Sequence, residues 1–444
     1  MSSLYHSDFD ITKIVRYFSI YFIVLIPFQN LPRTLSLKFS GIVSPYSKII
    51  LYSDEVLTIF LFIMLSSWIA IRGRATHKNN TPIIYFLILF VFTCFVALFI
   101  NHIGMYRWSL GIYDYIKILT IPIAFYWLGF SRNELKKAIL WFVNVGIIVV
   151  IIGLIGEILA HFTDSVVGVL VRGESGMRLG LFRITSVAGI GSWNYVGIYA
   201  VFIFWLMHAF KDNFKFIKLY SILIILFILC TVSRQTWIAF FVLLFFLSKG
   251  KYRFYSLLLL GIIIGIDYGF GLFDSKTIAE FSGGYEFRQE TYKMCWNLFT
   301  KNPVFGVGPG MIGGISAQRL WSPYYLHAPP DMMWFLEKMH GELDQFWGRL
   351  FADTGFLGGI FFIGFFVMLG KELLNQSSKF NENKEDKNLA ELGKVLSAFI
   401  LALFIMGTAG GVSASLIIFP FMAFSGMYLS ISHSSIPQGY NLKP

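Results

Sequence analysis

The stretch "SILIILFILC" (residues 221–230) is an almost uninterrupted run of apolar residues. Strands of a membrane β-barrel alternate apolar and polar residues, so a solid run of this kind favours a helix. Runs of about 18 to 22 apolar residues recur along the chain, and each is long enough to cross roughly 30 Å of hydrocarbon. The sequence therefore predicts an all-α, polytopic integral membrane protein.

The composition supports this fold class. Of the 444 residues, 56% are hydrophobic and 14% are charged, whereas globular proteins contain about 25% charged residues. The first apolar segment lacks a small-residue cleavage site, so we expect no cleaved signal peptide. The three cysteines predict no disulfide framework.

We predict about twelve transmembrane helices, and Lys and Arg in the short loops give their orientation. The helices cover residues 14–31, 52–71, 82–101, 113–130, 138–159, 193–210, 217–232, 235–248, 254–272, 346–370, 393–410 and 415–432. Basic residues gather in loops 72–78, 131–137, 211–218, 249–253 and 371–394, which the positive-inside rule places in the cytoplasm together with both termini. The net charge of +11 is then a signal of topology, and we expect no nucleic-acid partner.

This topology divides the chain into three parts. Residues 1–272 contain nine helices and a smaller periplasmic loop at 160–192, residues 273–345 form a large periplasmic loop, and residues 346–444 contain three helices and a cytoplasmic tail. We therefore look for function in the two outer loops.

Arginines on the outer side are candidate ligands for an anion. Arg234 lies in "TVSRQTW" (residues 231–237), at the outer turn of a helical hairpin, and Arg178, Arg183 and Arg319 lie in the outer loops. By the positive-inside rule, short outer loops contain few Arg and Lys residues, so an arginine found there is expected to have a partner or a function.

Arg288 opens the segment "RQETYKMCWNLFTKNPVFGVGPG" (residues 288–310). Apolar residues recur at helical spacing over residues 287–300 and predict an amphipathic helix. An arginine and free N–H groups at a helix N-terminus suit a phosphate. The helix should end before Pro303, and the following glycines form turns in which the backbone could approach a ligand. Alternatively, Arg288 snorkels or pairs with a neighbouring glutamate, and the glycines only form turns.

Three motifs together resemble the O-antigen ligase and O-antigen polymerase superfamily of bacterial envelope glycosyltransferases. They are "TVSRQTW", an arginine followed fifteen positions later by "PVFGVGPG", and "FWGRLFADTGFLGG" (residues 346–359) after the large loop. The resemblance implies metal-independent, inverting transfer of a saccharide from undecaprenyl diphosphate, without a cofactor, at the periplasmic face of the inner membrane. It implies the lipid bilayer, the lipid-linked donor, and a lipid-linked repeat unit or lipid A-core acceptor as partners, and it allows a chain-length regulator.

The resemblance also assigns residues. Arg183, Arg234 and Arg288 match the arginines that bind the diphosphate, with Arg178 as the alternative to Arg183. Independently of the resemblance, Arg319 and Glu342 of the large outer loop are further possible substrate ligands.

The acceptor hydroxyl must lose a proton, which requires a histidine or carboxylate close to it. The histidine register of the family falls on Asp344-Gln345, whereas His340 lies one helical turn earlier. We therefore expect His340 or Asp344 to be the catalytic base. The alternative is that Asp344 only caps the helix beginning at Phe346.

The position where the ligases of the family carry their histidine is Asp344-Gln345 in this sequence, and the absence of a histidine there favours a polymerase over a ligase. A transporter or flippase of a lipid-linked or anionic substrate is the second alternative. It predicts ionisable groups near the bilayer midplane and broken helices, whereas few charges lie inside the predicted spans. The "DFD" at residues 8–10 is predicted to be a solvated or capping stretch, so no metal site is expected.

Overall fold

The computed structural model describes most of the chain. The described residues are 11–29, 81–162, 172–178, 181–184, 193–250, 252–259, 289–328, 345–382, 386–408 and 415–431, with isolated positions between these ranges.

The described residues are predominantly helical, as the apolar runs predict. The helices are α1 (Ile11–Leu25), α2 (Thr81–Ile100), α3 (Met105–Leu128), α4 (Arg132–Phe162), α5 (Trp193–Ala209), α6 (Ile217–Cys230), α7 (Arg234–Leu247), α8 (Gly314–Leu320), α9 (Phe346–Glu382), α10 (Lys387–Met406) and α11 (Ser415–Ser430). Residues 252–259 and 289–301 are also helical. Short 3-10 turns cover Ile26–Phe28, Lys211–Asn213 and Pro323–His327.

One antiparallel hairpin departs from an all-helical fold. Strand β1 (Arg172–Arg178) pairs with β2 (Leu181–Ile184) within the predicted smaller outer loop. The apolar helix signal is absent from this stretch, so its backbone groups pair across two strands instead. Strand β2 packs against α4 and α6.

Four described helices are long and apolar enough to cross a membrane: Pro82–Ile100, Arg132–Leu159, Phe346–Glu382 and Lys387–Met406. Their positions agree with predicted spans. Helices α6 and α7 have 14 residues each, about 21 Å in length, which is less than the roughly 30 Å of hydrocarbon. The predicted span 52–71 lies outside the described residues, as does most of span 254–272, so the total of twelve stays a prediction.

Packing of the bundle places α9 between α2 and α10, and α10 between α9 and α7, while α3 packs along α11. Aromatic side chains fill the interior. The ring centroids of Phe202 and Phe399 are 4.4 Å apart, and those of Phe142 and Phe424 are 5.2 Å apart. Edge-to-face and offset contacts of this kind add to the stabilisation from apolar burial.

Helix α9 is broken at Gly355, where φ is 67° and ψ is −170°. This left-handed φ favours glycine, because a Cβ there is strained. The break positions the glycine-rich turn that follows Pro303.

Candidate functional site

The glycine-rich turn lies directly against the break in α9. Because Gly355 interrupts the hydrogen-bond ladder of the helix, the backbone on both sides of it pairs with the turn. Two N–H groups of α9 donate to the turn, Phe356 to the Pro303 carbonyl (2.8 Å) and Leu357 to the Val304 carbonyl (3.2 Å). Two N–H groups of the turn donate to α9, Val307 to the Ala352 carbonyl (2.9 Å) and Gly308 to the Asp353 carbonyl (2.8 Å).

The Asp353 carboxylate fixes the chain after this turn. It is fully buried, accepts a hydrogen bond from the Tyr115 hydroxyl of α3 at 3.0 Å, and accepts another from the Ile312 N–H at 3.0 Å. The next N–H, that of Gly313, donates to the Tyr325 hydroxyl at 2.8 Å. The carboxylate therefore ties α3, α9 and the turn together.

Arg349 completes this buried polar cluster. Its guanidinium lies 2.8 Å from Asp114 Oδ2, and its Nε lies 3.7 Å from Asp353 Oδ2. The guanidinium carbon is also 5.1 Å from the ring centroid of Tyr115. Only 6% of the Arg349 side chain and 10% of the Asp114 side chain are exposed, so both charges depend on each other for compensation. We call Asp114, Tyr115, Arg349 and Asp353 the buried ion cluster.

The glycines of the turn serve close packing against protein. A Cβ on Gly111 of α3 would lie 2.1 Å from the Gly310 nitrogen, and a Cβ on Gly314 would lie 2.2 Å from Asp114 Oδ2. The N–H groups from Gly306 to Gly308 already have protein acceptors. These three N–H groups are therefore engaged within the protein, and close packing accounts for the glycines of the turn.

Arg234 is half-buried at the start of α7. Ser233 is the N-cap, since its hydroxyl accepts a hydrogen bond from the Thr236 N–H at 3.3 Å. The same hydroxyl donates to Asn194 Oδ1, at the start of α5, at 2.5 Å. The Ser-Arg motif thus has a fixed position between two helix starts.

Segments distant in sequence meet at the C-terminal end of α10, residues 406–408, which we call the junction. Gln235 of α7 donates to the Met406 carbonyl at 3.4 Å. Trp347 of α9 donates its backbone N–H to the Gly407 carbonyl at 3.4 Å. The hydroxyl of Tyr292 donates to the Thr408 carbonyl. The junction therefore brings together the start of α7, the start of α9 and the 289–301 helix.

The 289–301 helix is amphipathic, as predicted. Thr291, Cys295 and Leu298 are buried, whereas Trp296 on the opposite face is 64% exposed. Glu290 forms an ion pair with Lys293 at 2.6 Å, so this glutamate has a partner within its own helix. Burial raises the pKa of the Cys295 thiol to about 12.

The predicted site residues fall into three groups. Arg234 and Arg319 are described with their side chains, and Arg319 is exposed near the end of α8. Arg178 and Arg183 lie in β1 and β2, with only their backbone described. Four of the predicted residues lie outside the described residues: Arg288, His340, Glu342 and Asp344. The chain that follows Arg288 contacts the junction through Tyr292, and the chain that follows Asp344 contacts it through Trp347.

Three residues of the buried ion cluster, Asp114, Arg349 and Asp353, were not among the predicted site residues. Their signal is present in the sequence, because ionisable residues inside predicted spans are rare and are usually paired or functional. Arg349 and Asp353 also have the four-residue spacing of neighbours on one helix face. Among the described residues, no group of three His, Cys, Asp or Glu side chains could hold a metal ion.

Comparison with known proteins identifies one family. Residues 219–363 match the family model of the O-antigen ligases. The match runs from α6 into α9 and includes Arg234, Arg288 and the segment 340–344, whereas Arg178 and Arg183 precede it. No curated protein matches the sequence. The match, which covers about a third of the chain, confirms the resemblance to the O-antigen ligase and polymerase superfamily. The long apolar helices indicate a membrane protein.

Proposed function

We propose that this protein is an O-antigen polymerase. It transfers a saccharide from undecaprenyl diphosphate to the hydroxyl of a lipid-linked acceptor saccharide at the periplasmic face of the inner membrane. The family match supports the general class of reaction. Within that class, the histidine register falling on Asp344-Gln345 favours the polymerase over the ligase.

The observation that supports this proposal most directly is the convergence at the junction. Gln235, which hydrogen-bonds there, is the neighbour of Arg234, and Tyr292 is one helical turn beyond Arg288. Trp347 stands three residues beyond Asp344. The arrangement therefore brings the residue after Arg234 to the same end of the bundle as residues that follow Arg288 and Asp344 closely in sequence.

The chemistry of the donor explains why arginines suit this place. The diphosphate gains negative charge as the bond from the sugar C1 to the phosphate oxygen breaks. Guanidinium groups in a partly dry cleft stabilise that charge more in the transition state than in the ground state. Arginine is suited to this role because its planar fork binds phosphate oxygens in pairs and stays charged.

The buried ion cluster acts as a positioning device in this proposal. The Asp353 carboxylate accepts hydrogen bonds from the Ile312 N–H and the Tyr115 hydroxyl, and the Arg349 guanidinium donates to Asp114. These contacts fix the start of α9 relative to α3 and the glycine-rich turn. A rigid support of this kind keeps substrate-binding groups in place between turnovers.

The buried charges and the broken α9 also raise the transporter alternative, because transporters use both features. In this protein, however, the charges lie beside one another: the Arg349 guanidinium is 2.8 Å from Asp114 Oδ2 and 3.7 Å from Asp353 Oδ2. The hydrogen-bond partners described above for the cluster are groups of the protein itself. These contacts support a structural role for the cluster.

A deletion strain tests the function. Loss of a polymerase should leave envelope glycans with a single repeat unit, whereas loss of a ligase should accumulate long polymer on the lipid carrier. Long polymer on the carrier, or unchanged glycans, would contradict the proposal.

The catalytic base is tested in a purified transfer assay. If His340 is the base, His340→Ala abolishes turnover and Asp344→Asn keeps most of it, and the reverse holds if Asp344 is the base. If Asp344 only caps α9, Asp344→Asn should lower the stability by about 1 kcal/mol or less and should cause little loss of activity. Full activity in both variants would place the base elsewhere.

A further inference from the structure

A groove of about 370 Å³ lies between α10 and the part of α9 that follows the break at Gly355. Its apolar walls are formed by Phe366, Val367 and Leu374 of α9 and by Ile400 and Leu401 of α10. The two helices approach closely here, because the Ser397 hydroxyl donates to the Gly370 carbonyl at 3.1 Å.

The groove faces away from the bundle interior. Val367 is 58% exposed and Leu374 is 47% exposed, although both are large apolar side chains. They continue a line of exposed apolar residues on α9 that includes Phe356 and Ile360. In a membrane-spanning helix, such a line is the surface that contacts lipid chains.

Lys371 marks the polar end of this line. It follows the break at Gly355 by 16 residues, about 24 Å along the helix, and its long side chain extends toward the far side of a hydrocarbon core of roughly 30 Å. The sequence beyond it, "KELLNQSSKFNE", is polar. Lys371 is therefore at the level of the lipid headgroups when α9 crosses the membrane.

The charge of Lys371 is available to a ligand. Among the described residues it is exposed and has no ion-pair partner, whereas Lys394 on α10 pairs with Glu391 at 2.8 Å. Lys371 is the charged residue among those lining the groove, and Asn375 and Ser397 add polar groups beside it.

We propose that this groove binds an anionic phospholipid. One acyl chain lies along the apolar walls, and the phosphate is held by Lys371 with a hydrogen bond from the Asn375 amide. A basic residue at the polar end of an apolar groove between transmembrane helices has the chemistry that recognises such a headgroup. The site is separate from the proposed transfer reaction, and its test does not depend on that reaction.

The full chain is purified in a mild detergent, delipidated, and titrated with phosphatidylglycerol or with phosphatidylcholine. The experiment measures how much of each lipid the protein retains. Native mass spectrometry should show preferential binding of phosphatidylglycerol. Loss of one lysine near the headgroups should weaken this binding about fivefold in Lys371→Gln. The matched control is Lys379→Gln, an exposed lysine of the same helix that does not line the groove, and it should bind as the natural chain does.

A second variant separates the groove from general charge effects. Leu401→Trp fills the groove without changing charge and should also reduce retention of phosphatidylglycerol. Equal binding of the two phospholipids, or equal losses in Lys371→Gln and Lys379→Gln, would overturn the proposal. Preferential retention of undecaprenyl phosphate at Lys371 would likewise overturn it and would assign the groove to a polyprenyl carrier.

Discussion

Arg349 contacts three residues on two helices through one side chain. It pairs with Asp114 of α3, approaches Asp353 of α9 and lies over the ring of Tyr115. The cluster that it joins holds the chain around Ile312. A buried charge of this kind is costly when it loses its partner, so the contacts of Arg349 are expected to matter for stability.

Removing Arg349 should destabilise the protein strongly. Arg349→Leu leaves two buried carboxylates without their cation, and we expect a loss of about 3 to 5 kcal/mol in the free energy of unfolding. Denaturant unfolding in detergent measures it. The double variant with Asp114→Leu should lose less than the sum of the two single losses, because the two residues interact.

An exposed pair provides the control for this prediction. Lys293, whose side chain is 65% exposed, pairs with Glu290, and Lys293→Ala should cost about 1 kcal/mol or less. An Arg349→Leu protein as stable as the natural chain would show that the cluster does not depend on this cation.

Arg234 is the described arginine that the proposed function uses. Arg234→Lys keeps the charge but loses the planar fork, so transfer from a diphosphate donor should fall by more than about tenfold while folding is retained. A transfer assay and thermal unfolding measure the two effects. Arg253→Lys, an exposed arginine outside the site, is the matched control and should keep full activity. Normal turnover by the Arg234→Lys protein would show that Arg234 does not bind the diphosphate.

At the scale of elements, the break in α9 is what joins the glycine-rich turn to the helix. Gly355 supplies the left-handed φ of 67°, and the turn lies so close that a Cβ on Gly355 would be 2.4 Å from the Val304 carbonyl oxygen. The motifs "PVFGVGPG" and "ADTGFLGG" are thus two halves of one structure.

Substitution of Gly355 should separate these halves. Gly355→Ala adds backbone strain of about 1 to 2 kcal/mol and a clash with the turn, so both stability and transfer activity should fall. Gly348→Ala is the control within the same helix. A Cβ there meets its nearest neighbour at an ordinary 3.4 Å, and we expect little change. Equal melting temperatures and activities for the two variants would contradict this account of the break.

The sequence predicted some of these elements and missed others. Burial of one face of the 289–301 helix follows directly from residue spacing. The pairing of Asp353 with Tyr115 and Ile312 joins residues far apart in the chain. No local pattern contains such a pairing, because it depends on how helices pack.

At the scale of the whole molecule, the proposed orientation is tested by labelling engineered cysteines. Arg319→Cys should react with an impermeant maleimide in intact spheroplasts, whereas Lys249→Cys should react only after permeabilisation. Both natural residues are exposed. Labelling at position 249 with protection at position 319 would reverse the orientation.

The natural cysteines leave a low background in this experiment. Cys94 and Cys295 are buried, and Cys230 is replaced by Ser in the parent chain. Because the pKa of the Cys295 thiol is raised to about 12, it stays protonated at neutral pH, and the protonated form is a poor nucleophile. The parent chain should therefore remain unlabelled until it unfolds.

The sequence by itself determined that this is a helical membrane protein, and its motifs indicated the family that residues 219–363 match. These features are local: apolar runs satisfy their own backbone within a helix, and short motifs keep fixed spacing. The tertiary structure decided that α7, α9 and the 289–301 helix meet at the junction, and that Arg349, Asp114 and Asp353 form one buried ion cluster. Those contacts join residues far apart in the chain, and a buried charge is stable there only when packing brings an opposite charge or a hydrogen-bond partner beside it.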